Sequence, residues 1–305
     1  MKFTIYQESR VGKRRNNQDR LAHCYSREAL LMVVADGMGG HLHGEVAAQI
    51  AVQYLTEAFQ REAKPRLSDP FMFLAGGLQN AHQAVQDYAL AKRLPEAESP
   101  RTTCVACIVQ DSIAYWAHAG DSRLYALRDG RILTRTRDHS TVQSMIDDGQ
   151  LTPAEAMHHP LRNRIYSCLG GQQNPQFDFS RKTTLQSGDV IALMSDGVWG
   201  PLEDLQITSA LYGRDVMQAV PALIDEAEKS GGANCDNLSL VAMSWGENYG
   251  EETLQAIETQ SLPLDGHSTQ MPEFDRRSAP LPELTDEDIE NAIDEIRNAI
   301  QKHSK

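Results

Sequence analysis

Three apolar runs joined by short turn signals limit the possible folds of this chain more than any other feature. The runs are TTCVACIVQ (102–110), SIAYWAHAGD (112–121) and RLYALRDGRIL (123–133). Asp111-Ser112 separates the first two, and Asp129-Gly130 divides the third, as is typical of hairpin turns. Consecutive hairpins favour antiparallel sheets over a doubly wound parallel sheet, whose strands need long crossover connections.

Helix-like segments occur between further strand-like runs. The other β-rich runs are LLMVVAD (30–36), DVIALMSDG (189–197) and LSLVAMSW (238–245). Apolar residues recur with helical spacing over 44–63, 71–93 and 215–231, where Pro221 predicts a kink or a boundary. We therefore expect an α+β fold in which helices are layered over a β-sandwich.

The composition changes near residue 247, and we divide the chain there. We expect a folded domain over 1–246, a flexible acidic and proline-containing linker over 247–283, and an amphipathic helical tail over 284–305. The tail carries an isoleucine stripe of Ile289, Ile293, Ile296 and Ile300. A helix with such a stripe needs a partner surface, which is either its own domain or another protein.

Charge and hydrophobicity exclude several classes of function. The net charge is −13, and residues 250–305 alone hold 13 acidic and 5 basic side chains, so we expect no nucleic-acid partner. No apolar run approaches the roughly 18 residues that a membrane helix needs, and no export signal is evident at the N-terminus. Cys104 and Cys107 form a CxxC spacing within a strand, where residues three apart face opposite sides. We read them as buried thiols of a cytoplasmic protein.

Four aspartates share one local context at the ends of apolar strands. They are Asp36, Asp121, Asp196 and Asp236, in VVADG, AHAGDSR, LMSDG and ANCDNLS. Alone, each is most simply a turn former. Two carboxylates roughly 4 Å apart repel by about 4 kcal/mol at an effective dielectric of 20, so a convergent set requires cations. Oxygen ligands without thiolates favour Mg²⁺ or Mn²⁺, and Gly37 would let its own carbonyl approach an ion.

A basic segment near the N-terminus supplies the opposite charge. GKRRNNQD (12–19) holds Arg14 and Arg15, and the planar guanidinium group suits phosphate oxygens. A solvated basic turn is the alternative interpretation.

Six motifs occur in order along the chain: GKRRNNQD, ADGMGGHLHGE, AGDSRLY, DHS, SDGVWG and CDNLS. With them, residues 3–246 resemble the bacterial branch of the metal-dependent PPM-type (type 2C) serine/threonine protein phosphatases. The resemblance implies a four-layer αββα sandwich of two antiparallel sheets flanked by helices, followed here by the linker and the tail helix. It also implies a centre of two Mn²⁺ or Mg²⁺ ions at one end of the sandwich.

The resemblance also implies roles for individual residues. Asp36 would bridge both ions, the Gly37 carbonyl would bind one, and Asp196 and Asp236 would hold the other. Asp121 matches the position of a weaker third ion.

The remaining motif positions would act around the ions. Arg14 matches the phosphate-binding arginine, and Asp19 a carboxylate that orients metal-held water. Gln18 stands where a glutamate is frequent, and Asn237 would bond near the site. His41 matches a proposed general acid, although His43 is also available and a solvent-exposed loop histidine is the alternative.

Residues 140–164 match the variable flap beside the cleft of such enzymes. His139, His158 and His159 lie in or near it without an assigned role. We interpret His118 as a core histidine or one that supports the site from behind.

The implied reaction is direct attack of metal-held hydroxide on phosphoserine or phosphothreonine, without a phosphoenzyme. Expected partners are phosphoproteins and a bacterial serine/threonine kinase whose action the enzyme opposes. Two alternatives are a regulatory pseudophosphatase that acts through its tail and a different metal hydrolase such as a phosphodiesterase.

Overall fold

The computed structural model describes residues 1–38, 43–156, 159–246 and 256–272. Its strands are β1 (Lys2–Arg10), β2 (Asp19–Tyr25), β3 (Ala29–Met38), β4 (Arg101–Thr102), β5 (Cys104–Gln110), β6 (Ile113–Ala119), β7 (Arg123–Arg128), β8 (Arg131–Arg135), β9 (Leu169–Gly170), β10 (Asp178–Phe179), β11 (Thr183–Thr184), β12 (Val190–Met194), β13 (Leu238–Trp245), β14 (Ile257–Glu258) and β15 (Ser268–Gln270). Its α-helices are α1 (Gly44–Glu62), α2 (Pro70–Ala91), α3 (Thr141–Asp147), α4 (Pro153–Ala156), α5 (Asp196–Trp199), α6 (Asp204–Leu211) and α7 (Val216–Gly231).

The strands form two antiparallel sheets. The first has the order β14-β1-β13-β12-β7-β8, and the second has the order β10-β6-β5-β3-β2-β15. Both predicted hairpins are present: β5 pairs with β6, and β7 pairs with β8. Their turn residues Asp111, Ser112, Asp129 and Gly130 all have positive φ angles, between 51° and 70°. That left-handed conformation matches the twist of the flanking strands, which is why Asp and Gly occur there.

Alternating side chains along the strands create three apolar layers. In β3, Leu31 and Val33 face helices α1 and α2, whereas Met32 and Val34 face the other sheet. In β13, Leu240 packs toward helices α6 and α7, and its neighbour Val241 faces the inter-sheet layer. The predicted four-layer αββα sandwich is therefore confirmed.

Helices on the two outer faces follow the predicted apolar periodicity with small shifts at their ends. α2 begins at Pro70, and the Asp69 side chain accepts hydrogen bonds from the backbone N–H groups of Phe71 and Met72. Pro221 was predicted to mark a kink or a helix boundary. The boundary is wrong, because α7 runs from Val216 through Pro221 to Gly231, and the kink stays a prediction. Burial of Val220, Leu223 and Ile224 in the core holds the helix together across the proline.

Part of the predicted linker is folded onto both sheets. β14 pairs with β1, and β15 pairs with β2, so the linker prediction is wrong for residues 256–272. The Thr259 hydroxyl, fully buried, donates to the backbone carbonyl of Arg27 at 2.6 Å and accepts from the N-terminal ammonium at 2.8 Å. Exposed edges of β1 and β2 explain the pairing, since an edge strand offers unpaired backbone groups. The remainder of 247–283 and the tail 284–305 lie outside the described residues.

The cysteines behave as the strand interpretation predicts. Cys104 belongs to the layer under the helices and Cys107 to the layer between the sheets, so their side chains point apart. All five thiols are free. In the described part of the chain, we find no helix with the length and apolar character that a membrane crossing demands.

Candidate active site

One end of both sheets gathers five carboxylates, which we call the aspartate site: Asp19, Asp36, Asp121, Asp196 and Asp236. Asp19 opens β2 and lies directly opposite Asp36 in the β2–β3 pairing. Asp121 follows β6, Asp196 follows β12, and Asp236 precedes β13. Antiparallel pairing places these strand ends at the same edge, which is why residues far apart in sequence meet there.

Hydrogen bonds to the backbone hold Asp36 in place at the end of β3. The Asp36 N–H donates to the Thr103 hydroxyl at 3.0 Å. The Asp36 carbonyl accepts from the Thr103 N–H and from the Thr102 hydroxyl, both at 2.9 Å. The strand end is therefore rigid at the position of the central predicted ligand.

Glycine is required beside two of the aspartates because chains pass in close contact there. A Cβ on Gly37 would lie 2.3 Å from the backbone carbon and oxygen of Gly44, at the start of α1. A Cβ on Gly197 would lie 1.9 Å from the Asn237 carbonyl oxygen. The second contact joins the loop of Asp196 to the loop of Asp236, so this glycine brings those two carboxylates together.

Asp19 lies beneath the other carboxylates and is only 2% exposed. Its Oδ2 accepts a 2.7 Å hydrogen bond from the Ser195 hydroxyl, whereas its Oδ1 is buried without a hydrogen-bond partner. Burial raises the pKa of Asp19 to about 7, although hydrogen bonds from Ser195 and Ser239 oppose the change. The charges of Asp196 and Asp236 raise it further.

The other carboxylates also destabilise one another when charged. Burial and then the charges of Asp19 and Asp196 raise the pKa of Asp36 well above its usual range. Burial and the charge of Asp236 raise the pKa of Asp196 to about 6, against a hydrogen bond with Asp36. Repulsion of this kind is relieved when cations occupy the space between carboxylates.

Asp121 occupies the far side of the site. Burial and the charges of Asp196 and Asp138 raise the pKa of Asp121 well above its usual range, while Arg123 opposes the change. Its Oδ1 is buried without a hydrogen-bond partner. Its backbone is held by the Trp199 indole N–H, which donates to the Asp121 carbonyl at 3.0 Å.

These features fit a centre of hard divalent ions. The donor set consists of carboxylate oxygens without cysteine or histidine, and two of these oxygens are buried and unpaired. The carboxylate oxygens are nevertheless not close enough to one another to hold one ion tightly. Within 1–38, 43–156, 159–246 and 256–272, three candidate ligand atoms come within 4.8 Å of one another only at His118, His139 and Asp178. The five aspartates therefore lie in one region of the fold, but bound cations would have to draw their carboxylate oxygens closer together.

Arg14 brings a positive charge to the mouth of the aspartate site. Its Nη2 lies 2.6 Å from Asp236 Oδ2, and 57% of its side chain is exposed. The hydrogen bond with Asp236 raises the pKa of Arg14, and the charges of Asp196 and Asp36 add to this effect. The guanidinium group is therefore fixed beside the carboxylates yet open to solvent.

Gln18 and Asn237 connect the N-terminal loop to the aspartate site. The Gln18 N–H donates to Asn237 Oδ1 at 2.8 Å, and the Asn237 side-chain amide donates to the Val11 and Asn16 carbonyls. The Asn237 N–H also donates to Asp236 Oδ1 at 2.8 Å. Asn237 thus positions both Asp236 and the loop that carries Arg14.

Sequence reasoning missed two charged neighbours of these residues. Glu45, in the first turn of α1, accepts a hydrogen bond from the Gln18 side chain at 3.1 Å. Arg162, in the predicted flap, lies close enough for its charge to lower the pKa of Asp196. Glu45 ends the motif ADGMGGHLHGE, and Arg162 lies in the flap segment 140–164, so their charges within these segments were the signal that could have identified them.

The histidine predictions have mixed outcomes. His41 and His158 lie outside the described residues, and neither His41 nor His43 is tested as a general acid. His43 precedes α1, and its side chain makes no capping hydrogen bond. His118 is 3% exposed, and its Nε2 lies 2.8 Å from the Arg137 carbonyl, as expected for a core histidine. His139 is 1% exposed, so it contacts the interior and not a substrate.

Comparison with known proteins assigns the chain and its fold to one family. The serine/threonine phosphatase PstP of Mycobacterium tuberculosis is 34% identical over 228 residues, which are 75% of this chain but only 42% of PstP. The protein phosphatase PhpP of Streptococcus pneumoniae is 32% identical over 249 residues, covering 78% of this chain and 96% of PhpP. The solved catalytic domain of PstP in complex with two manganese ions superposes with a TM-score of 0.66 at 31% identity, covering 80% of this chain and 99% of that domain.

The sequence model of protein phosphatase 2C matches residues 7–228, which include four of the five members of the aspartate site. That range is more than half of the chain, and it contains the strands β2 to β12. The chain belongs to the protein phosphatase 2C family.

Proposed function

We propose that this chain removes phosphate from phosphoserine and phosphothreonine side chains of proteins with the help of two Mn²⁺ or Mg²⁺ ions. The supporting observation is the convergence of five carboxylates, two of them with buried unpaired oxygens, next to the exposed guanidinium group of Arg14. A site that repels its own negative charge has a use for cations, and bound cations attract a phosphate group.

Four groups would hold the two ions: the carboxylates of Asp36, Asp196 and Asp236, and the Gly37 carbonyl. Asp121 would hold a weaker third ion. When bound, such ions supply a water of lowered pKa and neutralise the charge that develops on the phosphoryl group. General acid–base help alone contributes about 10²–10⁴-fold, far less than the acceleration that phosphate monoester hydrolysis needs.

The surrounding residues bind the substrate and hold protons. Arg14 would bind the phosphate oxygens, for which its solvent-exposed planar group is suited. Asp19, buried beneath the other carboxylates with an unpaired Oδ1, would orient the water that the ions hold. Gln18 is hydrogen-bonded to Glu45 and Asn237 and would help to hold the residues of the site in position. His41 would protonate the leaving serine or threonine oxygen.

We further propose that the enzyme acts in the cytoplasm and opposes a serine/threonine kinase. Five free thiols, four of them buried, favour a reducing compartment. Phosphoproteins and their kinase would then be its partners, while the segment 284–305 would bind either a partner or the catalytic domain. The domain bounds of 1–246, 247–283 and 284–305 remain predictions, although residues 256–272 of the predicted linker are folded onto the sheets.

The decisive experiment measures Mn²⁺-dependent release of phosphate from a phosphothreonine peptide by the wild-type chain and by Asp196→Asn. We expect turnover that requires the metal and is lost in the variant. A pseudophosphatase would leave the peptide and p-nitrophenyl phosphate intact at every metal concentration. A phosphodiesterase would instead prefer bis(p-nitrophenyl) phosphate, and either result would overturn the proposal.

A further inference from the structure

Beside the aspartate site lies a second group of potential ligands, which we call the histidine cluster: His118, His139 and Asp178. One ligand atom from each lies within 4.8 Å of the other two. Among the residues that the structure describes, no other set of three histidine, cysteine or acidic side chains meets this condition. The cluster shares no residue with the aspartate site.

Hydrogen bonding fixes which nitrogen of His118 can bind a ligand. Its Nε2 lies 2.8 Å from the Arg137 carbonyl oxygen, which can only accept, so Nε2 carries the proton. Nδ1 therefore holds a lone pair, and this atom is buried without a hydrogen-bond partner. Burial also lowers the pKa of His118, which favours the neutral ring that metals bind. A ring nitrogen oriented by a carbonyl on its other side is characteristic of metal-binding histidines.

His139 is held face to face between two rings. Its ring centroid lies 4.6 Å from that of His118 and 5.6 Å from that of Tyr166. Its Nε2 lies 3.4 Å from Asp178 Oδ2 and has no hydrogen-bond partner. Its Nδ1 faces the Gly120 N–H at 3.3 Å, a long contact. The Gly120 N–H can only donate, so Nδ1 accepts and Nε2 carries the ring proton. Metal binding through Nε2 would move that proton to Nδ1, which breaks the bond from Gly120 and requires the two N–H groups to separate.

Asp178 supplies the negative charge and faces a path to solvent. It lies opposite His118 in the β10–β6 pairing, and 45% of its side chain is exposed. Asp178 and His118 both line a cavity of about 590 Å³. Arg137, Arg181 and Lys182 line the same cavity, and their charges weaken the binding of any cation there.

We propose that His118 Nδ1, His139 Nε2 and an Asp178 oxygen form a binding site for a divalent transition metal, with Zn²⁺ the best fit. Two imidazoles and one carboxylate are a donor set that zinc uses, with water completing the coordination. Imidazole nitrogen favours Zn²⁺ over Mn²⁺ and Mg²⁺, so the two sites differ in the ions that they select. A single water that bridges His118 Nδ1, His139 Nε2 and the Asp178 carboxylate is the alternative occupant. The experiment distinguishes a bound zinc ion from this water.

The experiment measures Zn²⁺ binding to the full chain by equilibrium dialysis with metal analysis, in saturating Mg²⁺. Wild type is compared with Asp178→Asn and His118→Gln. Asp225→Asn, which changes an exposed carboxylate of α7 that pairs with Arg10, is the control, and Asp196→Asn weakens the aspartate site. We expect Asp178→Asn to weaken one Zn²⁺ site by about tenfold or more and His118→Gln to abolish it. The two control variants should retain that site.

A second measurement identifies the atoms directly. Ring ¹⁵N NMR of wild type should show Nδ1 of His118 shifting when Zn²⁺ is added, with His118→Gln used to assign the signal. If His118→Gln does not fold, Asp178→Asn and the wild-type spectrum decide the matter, because the half-exposed Asp178 tolerates an isosteric change. Equal Zn²⁺ binding in wild type and Asp178→Asn, or an unshifted His118 signal, would leave only a bound water and overturn the proposal.

Discussion

The aspartate site and the histidine cluster lie on either side of Gly120. They differ in the charge of the groups that carry their unpaired atoms. In the aspartate site, carboxylates repel one another, and the pKa of Asp36 is raised by burial and by its neighbours' charges. In the histidine cluster, the unpaired Nδ1 of His118 belongs to a neutral ring. Clustered carboxylates favour hard ions such as Mg²⁺ and Mn²⁺, whereas a neutral imidazole nitrogen favours ions such as Zn²⁺. The two sites therefore need different ions although they share one loop.

The largest effect should come from Asp36→Asn, which removes a charge from the centre of the aspartate site. We expect kcat/KM with a phosphothreonine peptide to fall by about 10³-fold or more, which corresponds to about 4 kcal/mol. Zn²⁺ binding at the histidine cluster should not change. Asp129→Asn is the control, because Asp129 is exposed in the β7–β8 turn and belongs to neither site. Activity of Asp36→Asn within tenfold of wild type would contradict a metal role for this carboxylate.

Gly197→Ala tests the backbone contact that joins the loops of Asp196 and Asp236. Its Cβ would lie 1.9 Å from the Asn237 carbonyl oxygen, so we expect the unfolding free energy to drop by about 3 kcal/mol. Gly76→Ala is the matched control, because no atom lies within 4 Å of its Cβ and it stands inside α2. That change should stabilise the protein by about 0.5–1 kcal/mol. Urea unfolding measures both values, and equal stability of the two variants would dispute the packing described here.

Arg14→Ala tests the phosphate-binding role at the mouth of the aspartate site. We expect kcat/KM to fall by about 10²-fold, or about 2.7 kcal/mol, and Arg14→Lys to recover only part because a bidentate contact is lost. Arg15→Ala is the neighbouring control, since Arg15 is exposed. Steady-state kinetics with the phosphopeptide provide the test. Similar losses in both alanine variants would indicate a general charge effect instead of a specific contact.

The effect that is smallest per step, at up to about 1.4 kcal/mol for each pH unit, concerns the metal-free protein. The folded-state pKa of Asp19 is about 7, above the value of about 3.9 for an unfolded chain, so the folded state retains a proton that the unfolded state releases. The unfolding free energy of the metal-free protein should therefore fall as pH rises from about 4 to 7, by up to about 1.4 kcal/mol per pH unit from this group. Thermal unfolding in a chelator measures this slope.

Two comparisons sharpen the pH prediction. Asp19→Asn should make the slope less steep, while the raised pKa values of Asp36, Asp121 and Asp196 keep part of it. Saturating Mn²⁺ should flatten the slope in wild type, because the ion offsets the charges that the fold disfavours. A slope that persists unchanged in Asp19→Asn would show that the buried carboxyl of Asp19 does not cause it.

Local sequence signals predicted most of the fold because its central strands are joined by short turns. Asp111-Ser112 and Asp129-Gly130 identify their hairpins from residue type alone. β1 and β2 were not predicted as strands, and residues 256–272 were predicted as linker. Their pairing depends on edges that form only when distant segments fold together, so no local pattern specifies it.

The site was predicted as a set of residues but not as a geometry. The strand-end positions of Asp36 and Asp196 indicated convergence, and the structure brings them into contact. Burial of Asp19 and its hydrogen bond from Ser195 depend on packing 176 positions away along the chain. The histidine cluster was missed for the same reason, since Asp178 meets His118 through a two-residue strand that carries no strong sequence signal.

The central claim is that the strand-end aspartates of both sheets hold a pair of divalent ions. The most direct test is anomalous diffraction at the manganese edge from crystals of the wild-type protein soaked in Mn²⁺. We predict two strong peaks among the carboxylates of Asp36, Asp196 and Asp236, with Arg14 displaced from Asp236. Peaks confined to other surfaces, with these carboxylates unchanged, would contradict the account.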